Sequence, residues 1–220
     1  MRNPKLGASI LSISPFLLLD KIKGFYLAGI DYFHLDIMDG NFVPNLSLSP
    51  FFYEEMFRLL PHAIYDLHFM VTEVALSNLL PSFLKNPPHY VTLHQEAILD
   101  WKKVACLVRD RGAKFGLALN PTTSIDSIRD HLQSLDMILI MSVVPGYGGQ
   151  KFIDEAFEKI QYLHSIREKD HLNFLIQVDG GITLPLAKKL INLGADMIVI
   201  GSDLANATDP ASYIQNFSTR

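Results

Sequence analysis

Short apolar runs alternate with amphipathic stretches along the whole chain. Leu6–Ser12 (LGASILS) reads as a strand, and Phe16–Ala28 carries its apolar residues at helical spacing. Tyr32–Asp39 alternates as a second strand, and a loop rich in Asn and Pro follows it. Pro50 then stands where a first helical turn accepts proline, opening FFYEEMFRLL. Tyr65–Val71 precedes a helix over Val74–Leu84, and Tyr90–Glu96 precedes one over Ile98–Arg111. Lys114–Asn120 leads to a short helix through Arg129, capped by Thr123 or Ser124. Met137–Val143 comes before a helix ending near Arg167, and Asn173–Asp179 before Leu184–Leu193. Met197–Ser202 is the eighth strand, with a last short helix from near Pro210.

Eight strands alternating with eight helices, several of the strands nearly continuous apolar runs, predict a parallel sheet covered by helices. Eight such units in 220 residues match a compact (β/α)8 TIM barrel. An open doubly wound sheet is the alternative, and eight consecutive units favour closure. No linker or low-complexity stretch divides the chain, so one domain is expected over residues 1–220.

Composition narrows the class. The chain is 49% hydrophobic, yet no run approaches the roughly 18 apolar residues of a membrane span. The start, MRNPKLGASIL, carries no secretory pattern. The single cysteine, Cys106, cannot form an internal disulfide, which fits a reducing cytoplasm, and WKKVACLVRD is expected to bury it on the apolar side of a helix. A net charge of −4 with no basic run argues against nucleic acid as a partner. A soluble cytoplasmic protein without membrane contact is expected.

The candidate chemistry follows from strand parity. Side chains in a strand alternate between faces, so His34, Asp36 and Met38 share one face. Asp66, His68 and Met70 repeat the grammar in YDLHFMV, and Asp179 ends an apolar run at FLIQVDGGI. Two imidazoles and two carboxylates suit a divalent metal if the fold gathers them. His-x-Asp alone reads first as a satisfied hydrogen-bonded pair, and it is the recurrence of the pattern that points to a metal. In a barrel of this kind active sites form at the C-terminal strand ends, where Asp36, His68 and Asp179 fall. His34 lies one layer deeper. Asp66 lies deeper in its own strand and reads as a polar residue that orients a ligand. Asp39 has the opposite parity and reads as a turn or cap residue. His94 ends the fourth strand, where it either lines the pocket or packs in the core. His62, His89, His131, His164 and His171 fall in loops or helices and read as surface residues.

Three glycine-bearing loops complete the pattern: Pro145–Gln150 (PGYGGQ), Gly180-Gly181 and Gly201-Ser202. Glycine lets a backbone approach a ligand closely, and successive amides make an anion nest. Loops after the last strands of such barrels often hold phosphate, although a lone glycine pair means only a tight turn. No lysine or arginine is placed there, so backbone dipoles and the Ser202 hydroxyl would carry the binding.

Taken together, SILS at Ser9–Ser12, HLDIMDGNFVPN at His34–Asn45, HFMV at His68–Val71, MSVVPGYGGQ at Met141–Gln150, VDGGI at Val178–Ile182 and GS at Gly201-Ser202 resemble the ribulose-phosphate 3-epimerase family. The resemblance runs from the first strand to the eighth. It implies a barrel of the ribulose-phosphate-binding type and a reaction interconverting D-ribulose 5-phosphate and D-xylulose 5-phosphate at C3, within the pentose phosphate pathway. Matching positions imply His34, Asp36, His68 and Asp179 as metal ligands, with Asp36 as proton acceptor and Asp179 as proton donor. They imply Ser9, His68, Gly146, Tyr147, Gly148, Gly149, Gly180, Gly181, Gly201 and Ser202 as substrate contacts, and Met38, Met70 and Met141 as lining around the reacting carbons. The implied cofactor is one divalent cation per chain, zinc first, with iron(II), manganese or cobalt also used in the family. A homo-oligomer, dimer or hexamer, is implied as well.

This chain departs from the family pattern at Phe69, where HLMV is usual, and at Tyr147, where PGFGGQ is usual. It also departs at Asp203-Leu204-Ala205, and Ser49 replaces a usual glycine. Ser49 leans towards the allulose-6-phosphate 3-epimerases, whereas Gly181 leans away, so D-allulose 6-phosphate stands as the alternative substrate. A phosphate-binding barrel decarboxylase would pair a lysine with the strand-two aspartate, and HLDIMD offers none. A non-catalytic sugar-phosphate binder would need the glycine loops without the carboxylates. The polar, proline-broken loop Asn41–Ser49 reads either as a lid over the site or as a fixed connector.

Overall fold

The computed structural model describes residues 3–218; the ends of the expected domain, 1–2 and 219–220, lie outside them. Eight parallel strands close into a barrel in strict chain order. They are β1 (Lys5–Ser9), β2 (Tyr32–Met38), β3 (Ile64–Met70), β4 (Tyr90–His94), β5 (Lys114–Leu119), β6 (Met137–Met141), β7 (Leu175–Asp179) and β8 (Met197–Ile200). Outside them lie α1 (Leu18–Leu27), α2 (Pro50–Leu59), α3 (Glu73–Phe83), α4 (Trp101–Asp110), α5 (Glu155–Lys169), α6 (Leu184–Asn192), the short α7 (Ser202–Ala205) and α8 (Pro210–Ser218). The helix after β5 is a 3-10 helix over Ile125–Ser134, longer than expected; Ser124 caps it, and Thr123 is engaged elsewhere. Among the described residues no helix is long and apolar enough to cross a membrane.

Parity decides what goes where. Phe33, Leu35 and Ile37 of β2, with Leu67 and Phe69 of β3, face the helices and join the large core between strands and helices. The other parity fills the barrel. Tyr32, Tyr90, Met137 and Met197 plug its lower end. His34, Asp66 and Gln177, all fully buried, make a polar layer above that plug. Met38 and Met70 meet Val43 at the top.

Three expectations need correction. The first strand stops at Ser9, because the chain turns at once: the Ile13 amide donates to the Ile10 carbonyl at 3.1 Å. The eighth stops at Ile200, and Ser202 opens the unexpected α7. Cys106 is exposed rather than buried. The buried stripe of α4 is Trp101, Ala105 and Val108, and four successive apolar residues, Ala105 to Val108, are more than one helical stripe accommodates. Cys106 and Leu107 therefore turn outward.

Candidate active site

Strand register builds the site. In the β2–β3 pairing Asp36 lies opposite His68, His34 opposite Asp66, and Met38 opposite Met70. Across the barrel Met141 pairs with Asp179. Because all these residues share the inward parity, side chains far apart in sequence converge. His34 Nε2 is 3.3 Å from Asp36 Oδ1, 3.3 Å from His68 Nδ1 and 3.9 Å from Asp179 Oδ2. His68 Nδ1 is 3.1 Å from Asp36 Oδ1, and the Ser9 hydroxyl donates to Asp36 Oδ2 at 3.0 Å. One ligand-type atom from each of His34, Asp36, His68 and Asp179 lies within 4.8 Å of the others. Two imidazoles and two carboxylates at that spacing fit a divalent cation of the borderline kind.

The polar layer beneath orients this set. Asp66 Oδ2 sits 2.7 Å from His34 Nδ1 and also accepts from Tyr32 Oη at 2.5 Å and Gln177 Nε2 at 2.6 Å. A carboxylate on Nδ1 fixes the His34 ring and aims Nε2 at the cluster, the arrangement common behind metal-binding histidines. Asp66 thus takes the orienting place its depth implied.

Electrostatics separates the two upper carboxylates. Burial works to raise both. For Asp36 the charge of His34 and its hydrogen bond outweigh burial and hold the carboxyl well below its ordinary range. Asp179 has no comparable partner, so burial and then the neighbouring Asp36 charge raise it to about 7. Burial opposes the charge on His34 as well, but Asp66 and Asp36 outweigh it and hold the imidazolium well above its usual range. The metal-free cluster therefore carries protons that a cation would have to displace.

A cleft of about 510 Å³, its solvent-open mouth included, lies above the cluster. Its wall takes in Ser9, Asp36, Met38, Met70, Met141 and Asp179, all three glycine loops, and Tyr147 and Ser202. His34 and His68 are fully buried one layer below and do not reach the wall. The glycines fit closely: a Cβ on Gly148 would lie 2.1 Å from Ser12 Oγ, and one on Gly181 (φ +63°) 2.6 Å from the Phe152 amide nitrogen. A side chain at either would force the loop apart. The loop after β2 is fastened to the loop after β6. Asn45 Nδ2 donates to the Gly146 carbonyl at 2.8 Å, and Tyr147 Oη to the Pro44 carbonyl at 2.6 Å.

Among the other expectations, Asp39 is a turn and cap residue, accepting from the Asn41, Phe42 and Thr72 amides. His62, His89 and His171 are exposed, and His131 and His164 half-buried. His94 is fully buried; it packs under Phe42, and its Nε2 meets His68 Nε2 at 2.9 Å. Sequence reasoning missed Ser12 and Val143 on the cavity wall, and Tyr32 and Gln177 beneath it. Gln177 shares the inward parity of Asp179 inside an apolar strand, a signal that was available. Ser142 was also missed. Its hydroxyl donates to the Asp179 and Gly180 carbonyls at 2.9 and 2.7 Å and holds the start of the β7 loop.

A profile of the ribulose-phosphate 3 epimerase family matches residues 5–205. The chain belongs to the ribulose-phosphate 3-epimerase family. It is 38% identical over 199 residues to a ribulose-phosphate 3-epimerase of Buchnera aphidicola from Acyrthosiphon pisum, covering 90% of this chain and 86% of that protein. It is 35% identical to the one from Bacillus subtilis, covering 93% and 94%. A chloroplastic relative from Arabidopsis thaliana is 36% identical over 96% of this chain and 74% of its own. Two solved structures share the fold alone. KGPDC from Streptococcus mutans has a TM-score of 0.71 at 14% identity, over 98% of this chain and 96% of its own. A 3-hexulose-6-phosphate synthase from Salmonella typhimurium has 0.69 at 16%, over 97% and 96%. Family membership makes the chain an enzyme of the epimerase kind.

Proposed function

We propose that the protein interconverts D-ribulose 5-phosphate and D-xylulose 5-phosphate by moving the C3 proton from one face of the sugar to the other. One observation carries the proposal. Asp36 and Asp179 line the same cavity, and their surroundings push their acidities in opposite directions, Asp36 down and Asp179 up to about 7. Two carboxylates of unequal acidity on one wall can take a proton from a carbon and return one to it.

In this reading Asp36 accepts the C3 proton on one face and Asp179 delivers one on the other; the roles exchange in the reverse direction. Ser9 Oγ, donating to Asp36 Oδ2, holds the base in place. His34, Asp36, His68 and Asp179 would hold one divalent cation, zinc first, which supplies Lewis-acid stabilisation of negative charge developing on substrate oxygens. Met38, Met70 and Met141 offer a soft, uncharged lining to a planar enediolate. Gly146 to Gly149, Gly180, Gly181, Gly201 and Ser202 would hold the rest of the sugar phosphate. The reading extends to a single-domain, cytoplasmic homo-oligomer, a dimer or hexamer, on the strength of the family resemblance.

D-Allulose 6-phosphate is the second reading, and two observations favour ribulose 5-phosphate over it. Ser49, the residue that leans towards allulose, serves α2 by accepting from the Phe52 amide at 3.3 Å and is not on the cavity wall. Gly181, which leans the other way, is on the wall. The test is turnover of both sugars by one sample whose metal content is measured alongside. Faster turnover of allulose 6-phosphate would move the assignment, and turnover of neither would end it.

A further inference from the structure

We propose that His94 and Glu96 are positioning residues. Through a Glu96–His94–His68 hydrogen-bond chain they hold His68 as the tautomer protonated at Nε2, so that its Nδ1 lone pair faces the ligand cluster. The inference rests on the metal-site reading above and deepens it.

The argument is one of donors and acceptors. His94 Nδ1 lies 3.2 Å from Glu96 Oε2. The other carboxylate oxygen, Oε1, accepts from the Asn120 amide at 2.8 Å and from the Thr123 hydroxyl. Burial alone would raise the Glu96 carboxyl, but the hydrogen bonds from His94, Thr123 and Asn120 outweigh it and bring it to about 2. An ionised carboxylate only accepts, so His94 Nδ1 must carry the hydrogen. His94 Nε2 is then a lone pair. The 2.9 Å contact between His94 Nε2 and His68 Nε2 needs one hydrogen, and only His68 remains to supply it. With Nε2 protonated, neutral His68 turns a lone pair at Nδ1 inward, and the hydrogen that separates it from Asp36 Oδ1 is the one on His34 Nε2, 3.3 Å from both atoms.

The two metal-site histidines are thus set in opposite senses. Asp66 reaches His34 directly and leaves Nε2 free; Glu96 reaches His68 through a second ring and leaves Nδ1 free. The far end of the chain is anchored. Lys159 of α5 donates to the carbonyls of Asn120, Pro121 and Thr123 at 2.9, 2.7 and 2.7 Å, fixing the loop that grips Glu96.

Glu96→Gln tests this without changing shape. The amide oxygen stays with the two donors, Asn120 and Thr123, so the amide nitrogen faces His94 Nδ1 and donates to it. His94 must then protonate at Nε2, and His68 at Nδ1, which closes the ligand atom. Nitrogen-15 NMR of the metal-stripped full chain reads the His68 tautomer, and chelator competition reads zinc affinity. The wild type should carry hydrogen on His68 Nε2. The Glu96→Gln variant should carry it on Nδ1 and bind zinc about 10–100-fold more weakly. A wild type protonated at Nδ1, or an unchanged tautomer in the variant, overturns the proposal; so does unchanged zinc affinity. The tautomer is read without metal or sugar, so its failure is distinct from failure of the epimerase reading, which turnover decides.

Discussion

Asp36 and His68 are register partners on β2 and β3, and their side chains meet at 3.1 Å between Oδ1 and Nδ1. Neighbouring inward positions on adjacent strands are a rigid way to set two ligands, because the ladder hydrogen bonds fix the spacing. The first prediction follows. The wild-type protein should purify with about one transition metal per chain, and His68→Ala should lose most of it, since three ligands remain of four. Elemental analysis of both proteins checks this; a metal-free, fully active wild type sinks the assignment.

The loop after β2 is read as a lid, and its fastening gives the second prediction. Tyr147 is the departure from PGFGGQ, and its hydroxyl binds the Pro44 carbonyl. Tyr147→Phe keeps the ring and removes only that hydrogen bond, worth about 1 kcal/mol, or about a fivefold change in loop opening. Amide exchange over residues 41–49 should quicken by about that factor. Saturating sugar phosphate should slow it again in both proteins. Exchange that ignores both the substitution and the ligand would make the loop a fixed connector.

How much of this was legible in the sequence depends on what each feature rests on. The barrel was legible because short, largely apolar runs alternate with amphipathic stretches, a local property. The inward parity of His34, Asp36, His68 and Asp179 was legible for the same reason. Register was not: nothing local says that Asp36 faces His68, or that Gln177 reaches Asp66 across 111 residues. The role of His94 stayed open because its decisive partner, His68, sits on the next strand. Cys106 was misjudged because a run of apolar residues exceeds the stripe a helix can bury.

Metal affinity should depend on pH in one direction. Asp179, raised to about 7 by burial and the Asp36 charge, is protonated below that pH and ionised above it. His34, held well above its usual range by Asp66 and Asp36 against burial, acts in the same direction. A cation needs both groups deprotonated, so affinity should rise with pH and rise more steeply below about 7. Calorimetry in buffers of different ionisation enthalpy should find more protons released per ion near pH 6 than near pH 8, with Asp179 accounting for about one. Proton release that does not change across this window would mean that Asp179 is already ionised.

The sharpest prediction concerns the two carboxylates. Asp179→Asn keeps the size of the side chain and removes the acid. Epimerisation should fall by several orders of magnitude, because general acid–base catalysis alone contributes about 10²–10⁴ and the ligand set is weakened too. The glycine loops are untouched, so the sugar phosphate should still bind. Asp36 remains on one face and can still remove a proton from one epimer. Slow exchange of that hydrogen with solvent deuterium should therefore outlast net epimerisation, and mass spectrometry of recovered substrate reads it directly. Asp36→Asn should reverse which epimer exchanges, since the surviving carboxylate then lies on the other face. Near-normal turnover in either variant with metal bound would mean that a different group carries the proton, and the pairing of Asp36 with Asp179 would have to be abandoned.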